Sequence, residues 1–337
     1  MNVFYGMLIF AFAGAMNGSF ALPSKHLKHW SYQRIWLNYS FWAFLIFPCL
    51  FLTFLAPHAW RIYANAPAHL LAIILAGGFL FGIGQVCFSR ALHMIGIGMG
   101  FVINISIGTA LGSLVPFFLL RDKAAFTKPE LATIVGIGFI LFGVLLSYVA
   151  GLKRDRAQNS ATEKNNYTLG IILATIAGLF SAGQNVTFSY THGLQNQALA
   201  SGASHFISAN IIWPAFLIAT FIPYVSYMLI LCYKNRNIES THHSSMRDYF
   251  STLMMGAFWF FSLILYSAGS LKIGALGPVI GWPIFMVCII LTANMWGWRH
   301  GEWAFAPPRA KTIAKLSIVA LILSILILAY ATFLSIN

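Results

Sequence analysis

The sequence predicts an all-α integral membrane protein whose ten transmembrane helices form a five-plus-five inverted repeat. Three observations lead to this prediction. The composition is 59% hydrophobic and only 8% charged, whereas a soluble domain carries about 25% charged residues. Apolar runs long enough to cross a bilayer recur along the whole chain, and the one long polar stretch falls near its middle.

The apolar runs number ten, and each has about the twenty residues that a helix needs to cross the hydrocarbon layer. They are residues 3–23, 35–56, 68–90, 95–120, 130–151, 168–190, 204–232, 249–270, 273–298 and 311–334. The divisions RALHMIG, after the third run, and SLKIGAL, after the eighth, are the narrowest. No Lys or Arg precedes the first run and no small-residue cleavage site ends it, which predicts a retained membrane helix.

The polar stretch GLKRDRAQNSATEKNNYT, residues 151–168, predicts a linker between two halves. We place a first five-helix repeat at residues 1–151, a cytoplasmic linker at 152–167 and a second repeat at 168–337. A shift of 164 residues aligns small residues of the first and sixth runs: Gly6, Ala13 and Gly14 with Gly170, Ala177 and Gly178. A shift of 178 aligns the ends of the third and eighth runs: Ser89, Ile95 and Gly96 with Ser267, Ile273 and Gly274.

Five helices in each half would make the second half enter the membrane from the opposite face, as in many secondary transporters. A ten-helix bundle with accidental similarity is the alternative. The basic residues fall mainly on one side of the alternating spans, because only five of the 20 lie on the other: Arg61, Arg121, Lys123, Lys128 and Lys272. The positive-inside rule then puts both termini in the periplasm.

Three stretches resemble a known family. They are FGIGQVCFSRALHMIGIGMGFVINISIGTALGSLVP (81–116), the first helix with the PSKHLKHWSYQRIW that follows it, and GWPIFMVCIILTANMWGWRHGEW (281–303), which ends in Gly-Glu-Trp. They are similar to parts of the rhamnose–proton symporter family, within the drug/metabolite transporter superfamily. The resemblance implies ten helices, an inverted duplication and uptake of a sugar across the bacterial inner membrane.

One stretch departs from the pattern of that family. Rhamnose symporters carry polar and acidic residues just before the tryptophan of the ninth helix, whereas here the stretch reads GALGPVIGW (274–282), with no ionisable group. The resemblance therefore implies a small neutral, rhamnose-like sugar, and it leaves the particular sugar and the coupling to protons open.

Polar side chains inside the apolar runs are the candidate binding groups, because they are costly in hydrocarbon unless they face protein or water. Amides donate and accept hydrogen bonds, which suits sugar hydroxyls, and aromatic rings offer an apolar platform to the C–H faces of a sugar. The predicted substrate-binding residues are Asn17, Gln85, Asn104, Gln184, Asn185, Asn210, Trp213, Trp259, Tyr266 and Trp282. The alternatives are interhelical hydrogen bonds for the amides and packing for the rings.

Prolines at depth mark a second signal, because each removes a backbone hydrogen bond and interrupted helices point to binding sites. They are Pro116, Pro214, Pro223, Pro278 and Pro283. The last two bracket Trp282 and are predicted to open the ninth helix locally.

All seven acids are predicted to lie outside the membrane interior: Asp122, Glu130, Asp155, Glu163, Glu239, Asp248 and Glu302. A proton-coupled carrier usually keeps a buried carboxylate for its relay. Without one, the sequence favours facilitated diffusion, and coupling through a histidine is the alternative. His205 and His192 are the candidates for such a relay, because histidine titrates near neutral pH.

Enzyme classes are not predicted, since HExxH, GxSxG and Walker motifs are missing from the sequence. We expect no cofactor and no metal, and the four cysteines lie within apolar runs, where they pack. The sequence favours an alternating-access permease with a midplane site, whose partners are a neutral sugar, a proton as a candidate co-substrate and the bilayer, but not nucleic acid. An exporter of another metabolite and a membrane receptor are the alternatives.

Overall fold

The computed structural model of this protein describes residues 2–27, 29–119, 127–157, 167–235, 245–274 and 277–334. Within them, ten helical segments are long and apolar enough to cross a membrane, which confirms the predicted number. These spans, numbered first to tenth, are Val3–His26, Tyr32–Leu55, Ala68–Ile95, Met99–Leu119, Lys128–Arg154, Tyr167–Ala200, His205–Lys234, Met246–Ile273, Gly277–Arg299 and Pro308–Leu334. Most of the predicted linker, residues 158–166, lies outside the described residues.

The first two spans are the least regular of the first half. The α-helix Asn2–Ser19 is followed by the 3₁₀ turn Leu22–His26. The second span begins as the α-helix Tyr32–Ser40 and continues through two π-helical segments, Phe41–Ile46 and Phe51–Leu55. Pro48 lies in the short α-helix between them. Because proline has no N–H for the carbonyl four residues earlier, the wider π-helical turns form around it.

The third and fourth spans form one continuous helical trace, Ala68–Leu119, of 52 residues. A straight helix of this length would measure about 78 Å. The rings of Phe88 and Phe101 nevertheless lie only 4.9 Å apart, so the chain reverses between them and the two spans run antiparallel. The predicted division at RALHMIG therefore lies within the stretch where the chain reverses, between Phe88 and Phe101, although the helical trace continues through it.

The remaining α-helices are more regular. They are Lys128–Ala157, Tyr167–Tyr190, His192–Ala200, His205–Asn210, Ile212–Lys234, Met246–Ile273, Gly277–Arg299 and Pro308–Leu334. The seventh span breaks at Ile211, between its short outer helix and its long inner helix. Pro214 explains the break, because it cannot donate to the carbonyl of Asn210. The ninth helix starts at Gly277, four residues after the predicted start, because Gly274 has a positive φ of 89°.

The eighth and ninth spans form the centre of the bundle, with 67% and 56% of their apolar windows buried. The first span packs against both of them, the sixth packs against the third and fourth, the fifth pairs with the tenth, and the second pairs with the seventh. Glycine permits the closest approaches. A Cβ on Gly14 would lie 2.7 Å from the Phe285 carbonyl oxygen, and one on Gly178 would lie 2.7 Å from the Ile107 Cβ.

Alternate connections meet on the same side of the bundle. On one side, which we call the basic face, Lys25 and Arg154 each lie 3.4 Å from Glu302. On the opposite side, the Gln197 amide donates to the Asn65 carbonyl at 2.8 Å. Ten spans that cross the membrane in alternate directions place alternate connections on the same side.

Large apolar side chains cover the outside of the bundle, as lipid contact requires. Phe4 and Phe54, for example, are 64% and 74% exposed.

Candidate functional site

Four of the predicted site residues come together where the sixth to ninth spans meet. The Tyr266 hydroxyl donates to Asn185 Oδ1 at 2.5 Å, and the Tyr266 ring lies 5.6 Å from the Trp282 ring. Phe188 stacks on Trp213 at 5.3 Å and contacts Tyr266 at 5.5 Å. We call Asn185, Trp213, Tyr266 and Trp282 the central cluster.

Asn185 uses both the nitrogen and the oxygen of its side-chain amide in hydrogen bonds. Its Nδ2 donates to the carbonyls of Gly112, at 2.7 Å, and Pro278, at 3.0 Å, while its Oδ1 accepts from Tyr266. The Gly112 carbonyl is available because Pro116, four residues on, has no N–H to offer it. The amide therefore replaces a missing helix hydrogen bond and joins the fourth, sixth, eighth and ninth spans.

Both tryptophans of the central cluster are also fully paired. Trp213 Nε1 donates to Ser267 Oγ at 2.5 Å, and Trp282 Nε1 donates to the Gly108 carbonyl at 3.1 Å. Their side chains and that of Tyr266 are completely buried. In this conformation the central cluster holds helices together, and a ligand can reach it only if the spans move apart.

A second set of predicted residues lies about one turn closer to the basic face. Asn17 Nδ2 donates to Ser262 Oγ at 2.8 Å, and Ser262 lies one turn from Trp259 on the eighth span. The Trp259 ring contacts Phe44 at 5.1 Å and Phe81 at 6.3 Å. Gln85 is half-buried and lies one turn beyond Phe81 on the third span.

Gln184 differs from the paired amides because it is 4% exposed and its Nε2 has no hydrogen-bond partner. Asn104 and Asn210 each leave a buried Oδ1 unpaired, although Asn210 Nδ2 donates to the Phe206 carbonyl at 3.0 Å. A buried polar atom without a partner costs about 1–3 kcal/mol. Such atoms are therefore the best candidates for groups that bind a polar ligand.

Among the described residues, two further buried hydroxyls are unpaired, and the sequence interpretation missed them: Thr109 and Ser113. Serine and threonine in a helix usually donate to a carbonyl one turn back, as Thr220 does to Phe216 at 2.9 Å. Their presence in an apolar run is therefore not itself a signal. Only their place in the folded chain distinguishes these hydroxyls.

The two predicted relay histidines lie on the face opposite the basic face, and both are exposed. His192 Nδ1 lies 3.0 Å from Gln195 Oε1, and His205 begins the outer helix of the seventh span. Nearby, Tyr63 donates to the Ile211 carbonyl at 2.5 Å, where that span breaks. Burial raises the pKa of the Tyr63 phenol above its usual range.

The acids whose side chains are described occupy helix ends and connections. Glu130 accepts from the Thr127 backbone at 2.6 Å, Asp248 forms a capping box with Ser245, and Glu302 pairs with Lys25 and Arg154. None of these three is buried, which agrees with the prediction for them. Asp122, Glu163 and Glu239 lie outside the described residues. Within the described part of the chain, no three His, Cys, Asp or Glu side chains could hold a metal ion.

Comparison with known proteins gives a consistent result over the whole chain. The family model for the L-rhamnose-proton symport protein (RhaT) matches residues 1–333. L-rhamnose-proton symporters of Cronobacter sakazakii and Klebsiella pneumoniae are each 24% identical, over 95% and 96% of this chain and 95% of theirs. That of Yersinia pestis is 25% identical, over 94% and 95%. A solved crystal structure at 14% identity shares the fold over 94% of each chain, with a TM-score of 0.61.

Proposed function

The chain belongs to the L-rhamnose-proton symport protein family, and from this premise we propose that it carries a small neutral sugar of the rhamnose type across the membrane together with a proton. Membership and the ten apolar helices make it a multi-pass protein of the bacterial inner membrane. Transporters of this size and helix number move their substrate by alternating access around a midplane site. The placement in the drug/metabolite transporter superfamily is part of the same proposal.

The proposed inverted repeat, with halves 1–151 and 168–337 joined by the linker 152–167, is supported by contacts that occur twice. Gly6 lies against Ile273, and Gly170 lies against Ile95, which are equivalent under the two sequence shifts. Gly14 meets Phe285 in the ninth span, as Gly178 meets Ile107 in the fourth. Tyr32 bonds Ser89 at 2.8 Å, as Trp213 bonds Ser267.

The pairing of the fifth and tenth spans has the form that a two-fold axis in the membrane plane would produce. Ser147 bonds Ser317 at 2.5 Å, and a Cβ on Gly143 would lie 2.8 Å from Leu321. The contacts advance along one helix as they retreat along the other, so the two spans are antiparallel. Equivalent helices of an inverted repeat meet in this way across their symmetry axis.

The sugar site is proposed to lie beside the central cluster, and the unpaired Gln184 amide is the observation that carries this proposal. Asn17, Gln85 and Trp259 lie closer to the basic face than the central cluster does. Asn104 and Asn210 each offer an unpaired amide oxygen. Sugar hydroxyls would satisfy these atoms when bound. Asn185, Trp213, Tyr266 and Trp282 position the helices around the site and meet the substrate only when the spans separate.

Transport into proteoliposomes tests the function and its coupling to protons. We expect radiolabelled L-rhamnose to accumulate above its external concentration when the lumen is alkaline, and a protonophore to abolish the accumulation. Equilibration without accumulation would instead support the facilitated diffusion that the sequence favours. If no sugar of a panel enters, the proposed function is wrong.

The histidine relay is tested in the same assay. Loss of accumulation in His205→Asn, with retention in His192→Asn, would assign the relay to His205. Retention in both variants would exclude these two histidines, and Glu130→Gln then becomes the next variant to examine.

The proposed orientation places the basic face in the cytoplasm and both termini in the periplasm, because fifteen of the 20 basic residues lie on that side. A reporter fused after Asn337 should therefore read as periplasmic, and one inserted within 153–166 as cytoplasmic. Reporters that read the same side would contradict the arrangement of the spans.

A further inference from the structure

A cavity of about 250 Å³ opens at the basic face between the fourth, fifth and ninth spans. Its wall includes Val102 and Ile105 of the fourth span, Ser147 of the fifth and Asn294 of the ninth, and its mouth includes Arg154 and Glu302. The fourth and fifth spans belong to the first proposed repeat and the ninth to the second. The cavity therefore lies between the two halves, where a transporter moves its substrate.

The wall of the cavity continues toward the midplane along one face of the fourth span. Helical spacing puts Val102, Ile105, Thr109 and Ser113 on that face, at intervals of three and four residues. Thr109 and Ser113 are completely buried, and their hydroxyls have no partner. Unpaired hydroxyls at this depth are costly, so the row above the cavity is suited to a ligand that brings its own hydroxyls.

An ion cluster that joins the two halves lies at the mouth of the cavity. Glu302, after the ninth span, lies 3.4 Å from both Lys25, at the end of the first span, and Arg154, at the end of the fifth. The Arg154 guanidinium also lies 5.1 Å from the Trp303 ring, whose other neighbour is Trp298, stacked at 5.2 Å. Trp303 thus fixes Arg154 at the mouth rather than offering a free ring to a sugar.

Two glycines allow the Glu302 carboxylate to reach the mouth of the cavity. A Cβ on Gly297 would lie 3.0 Å from Glu302 Oε2, and the turn that returns the chain uses Gly301 at a φ of 75°. Glu302 is therefore held against the ninth span, with its side chain 46% exposed. Ion pairs this exposed contribute about 0–1 kcal/mol each, so a movement between conformers of similar energy can break them.

We propose that this cavity is the route by which the sugar reaches the basic face, with Thr109 and Ser113 as hydroxyl-binding residues along it and Glu302 as the carboxylate that closes its mouth. The inference rests on the proposed function for the identity of the ligand. The closing role of Glu302 rests on the ion cluster and the cavity alone.

Thiol labelling of a cavity residue tests the inference. Asn294→Cys is placed in a background with Cys49, Cys87 and Cys232 changed to Ser and Cys288 to Ala. A charged methanethiosulfonate reagent is applied to the basic face in vesicles of known orientation. We expect Glu302→Gln to raise the labelling rate about threefold to fivefold, the effect of losing roughly 0.7–1 kcal/mol of closure. Saturating L-rhamnose should slow labelling.

Two controls separate closure from a general loss of structure. Asp248→Asn removes a half-buried acid that caps the eighth span and lies outside the ion cluster, and it should leave the labelling rate unchanged. Lys25→Gln removes one of the two ion pairs of Glu302 and keeps the pair with Arg154, so it should raise the rate by less than Glu302→Gln does. An unchanged rate in Glu302→Gln overturns the closing role.

The sugar route and the proposed function fail in different ways. If proteoliposomes take up L-rhamnose but the sugar does not protect the introduced cysteine, and Thr109→Val with Ser113→Ala leaves uptake unchanged, the route is wrong and the function stands. If no sugar is taken up and none protects the cysteine, the function is wrong. A raised rate in Glu302→Gln would then still support closure of the cavity.

Discussion

Replacing Gln184 by leucine is expected to stabilise the protein by about 1 kcal/mol while reducing sugar uptake roughly tenfold to hundredfold. The stabilisation follows because Gln184 is 4% exposed and leaves its Nε2 unpaired, and an apolar side chain of similar size removes that penalty. The loss of uptake follows if the same nitrogen donates to a sugar hydroxyl, since each 1.4 kcal/mol of lost interaction is about tenfold.

The opposite signs of the two effects distinguish a binding residue from a structural one. Stability is measured as the unfolding transition of the purified protein, and uptake as the initial rate over KM in proteoliposomes. Asn38→Leu is the matched control, because the Asn38 amide bonds the Arg34 carbonyl of its own helix at 3.0 Å. It should lower stability slightly and leave uptake unchanged. If Gln184→Leu destabilises the protein, or leaves uptake intact, Gln184 does not bind the sugar.

Replacing Asn185 by alanine is expected to destabilise the protein by about 2–4 kcal/mol. Three buried groups lose their partner together: the carbonyls of Gly112 and Pro278 and the hydroxyl of Tyr266. Hydrogen bonds between membrane helices average about 0.6 kcal/mol and reach about 1.7 kcal/mol, which sets this range.

A double-mutant cycle tests the physical cause that we give for Asn185. Pro116→Ala returns a backbone N–H to the Gly112 carbonyl, so in the Asn185→Ala background it should recover about 1 kcal/mol that it does not provide in the parent. Pro283→Ala is the control, because it restores a donor to the Val279 carbonyl, which Asn185 does not touch. The change in stability that Pro283→Ala causes should therefore be the same in the parent and in the Asn185→Ala background. A coupling of zero between Asn185 and Pro116 would contradict the replacement of a missing helix bond.

Some of the predicted site residues already have hydrogen-bond partners within the protein and others do not, and the residue types do not reveal which. Asn185 and Gln184 are adjacent amides in one apolar run, yet the first is fully paired and the second has an unpaired nitrogen. The difference depends on a proline in another span and on a tyrosine in a third. Likewise Trp213 and Trp282 are predicted as platforms for a sugar, but their N–H groups donate to neighbouring helices and the Trp213 ring stacks on Phe188.

The sequence by itself determined that this protein lies in a bilayer, how many times the chain spans it, and that successive spans run in opposite directions. Each of these follows from local properties, since an apolar run of about twenty residues must span the bilayer wherever it occurs in the chain. Prolines and glycines also marked the places where helices bend or approach, because their backbone chemistry is fixed by the residue itself.

Only the tertiary structure decided which polar atoms remain available to a ligand. A side chain in an apolar run can satisfy its hydrogen bonds within its own helix, across a helix contact or with a substrate, and the choice depends on neighbours that are distant in sequence. The reversal between Phe88 and Phe101, the pairing of Asn185 with the fourth and ninth spans and the ion pair of Glu302 with Lys25 are all of this kind. Each joins residues more than ten positions apart, which no local pattern specifies.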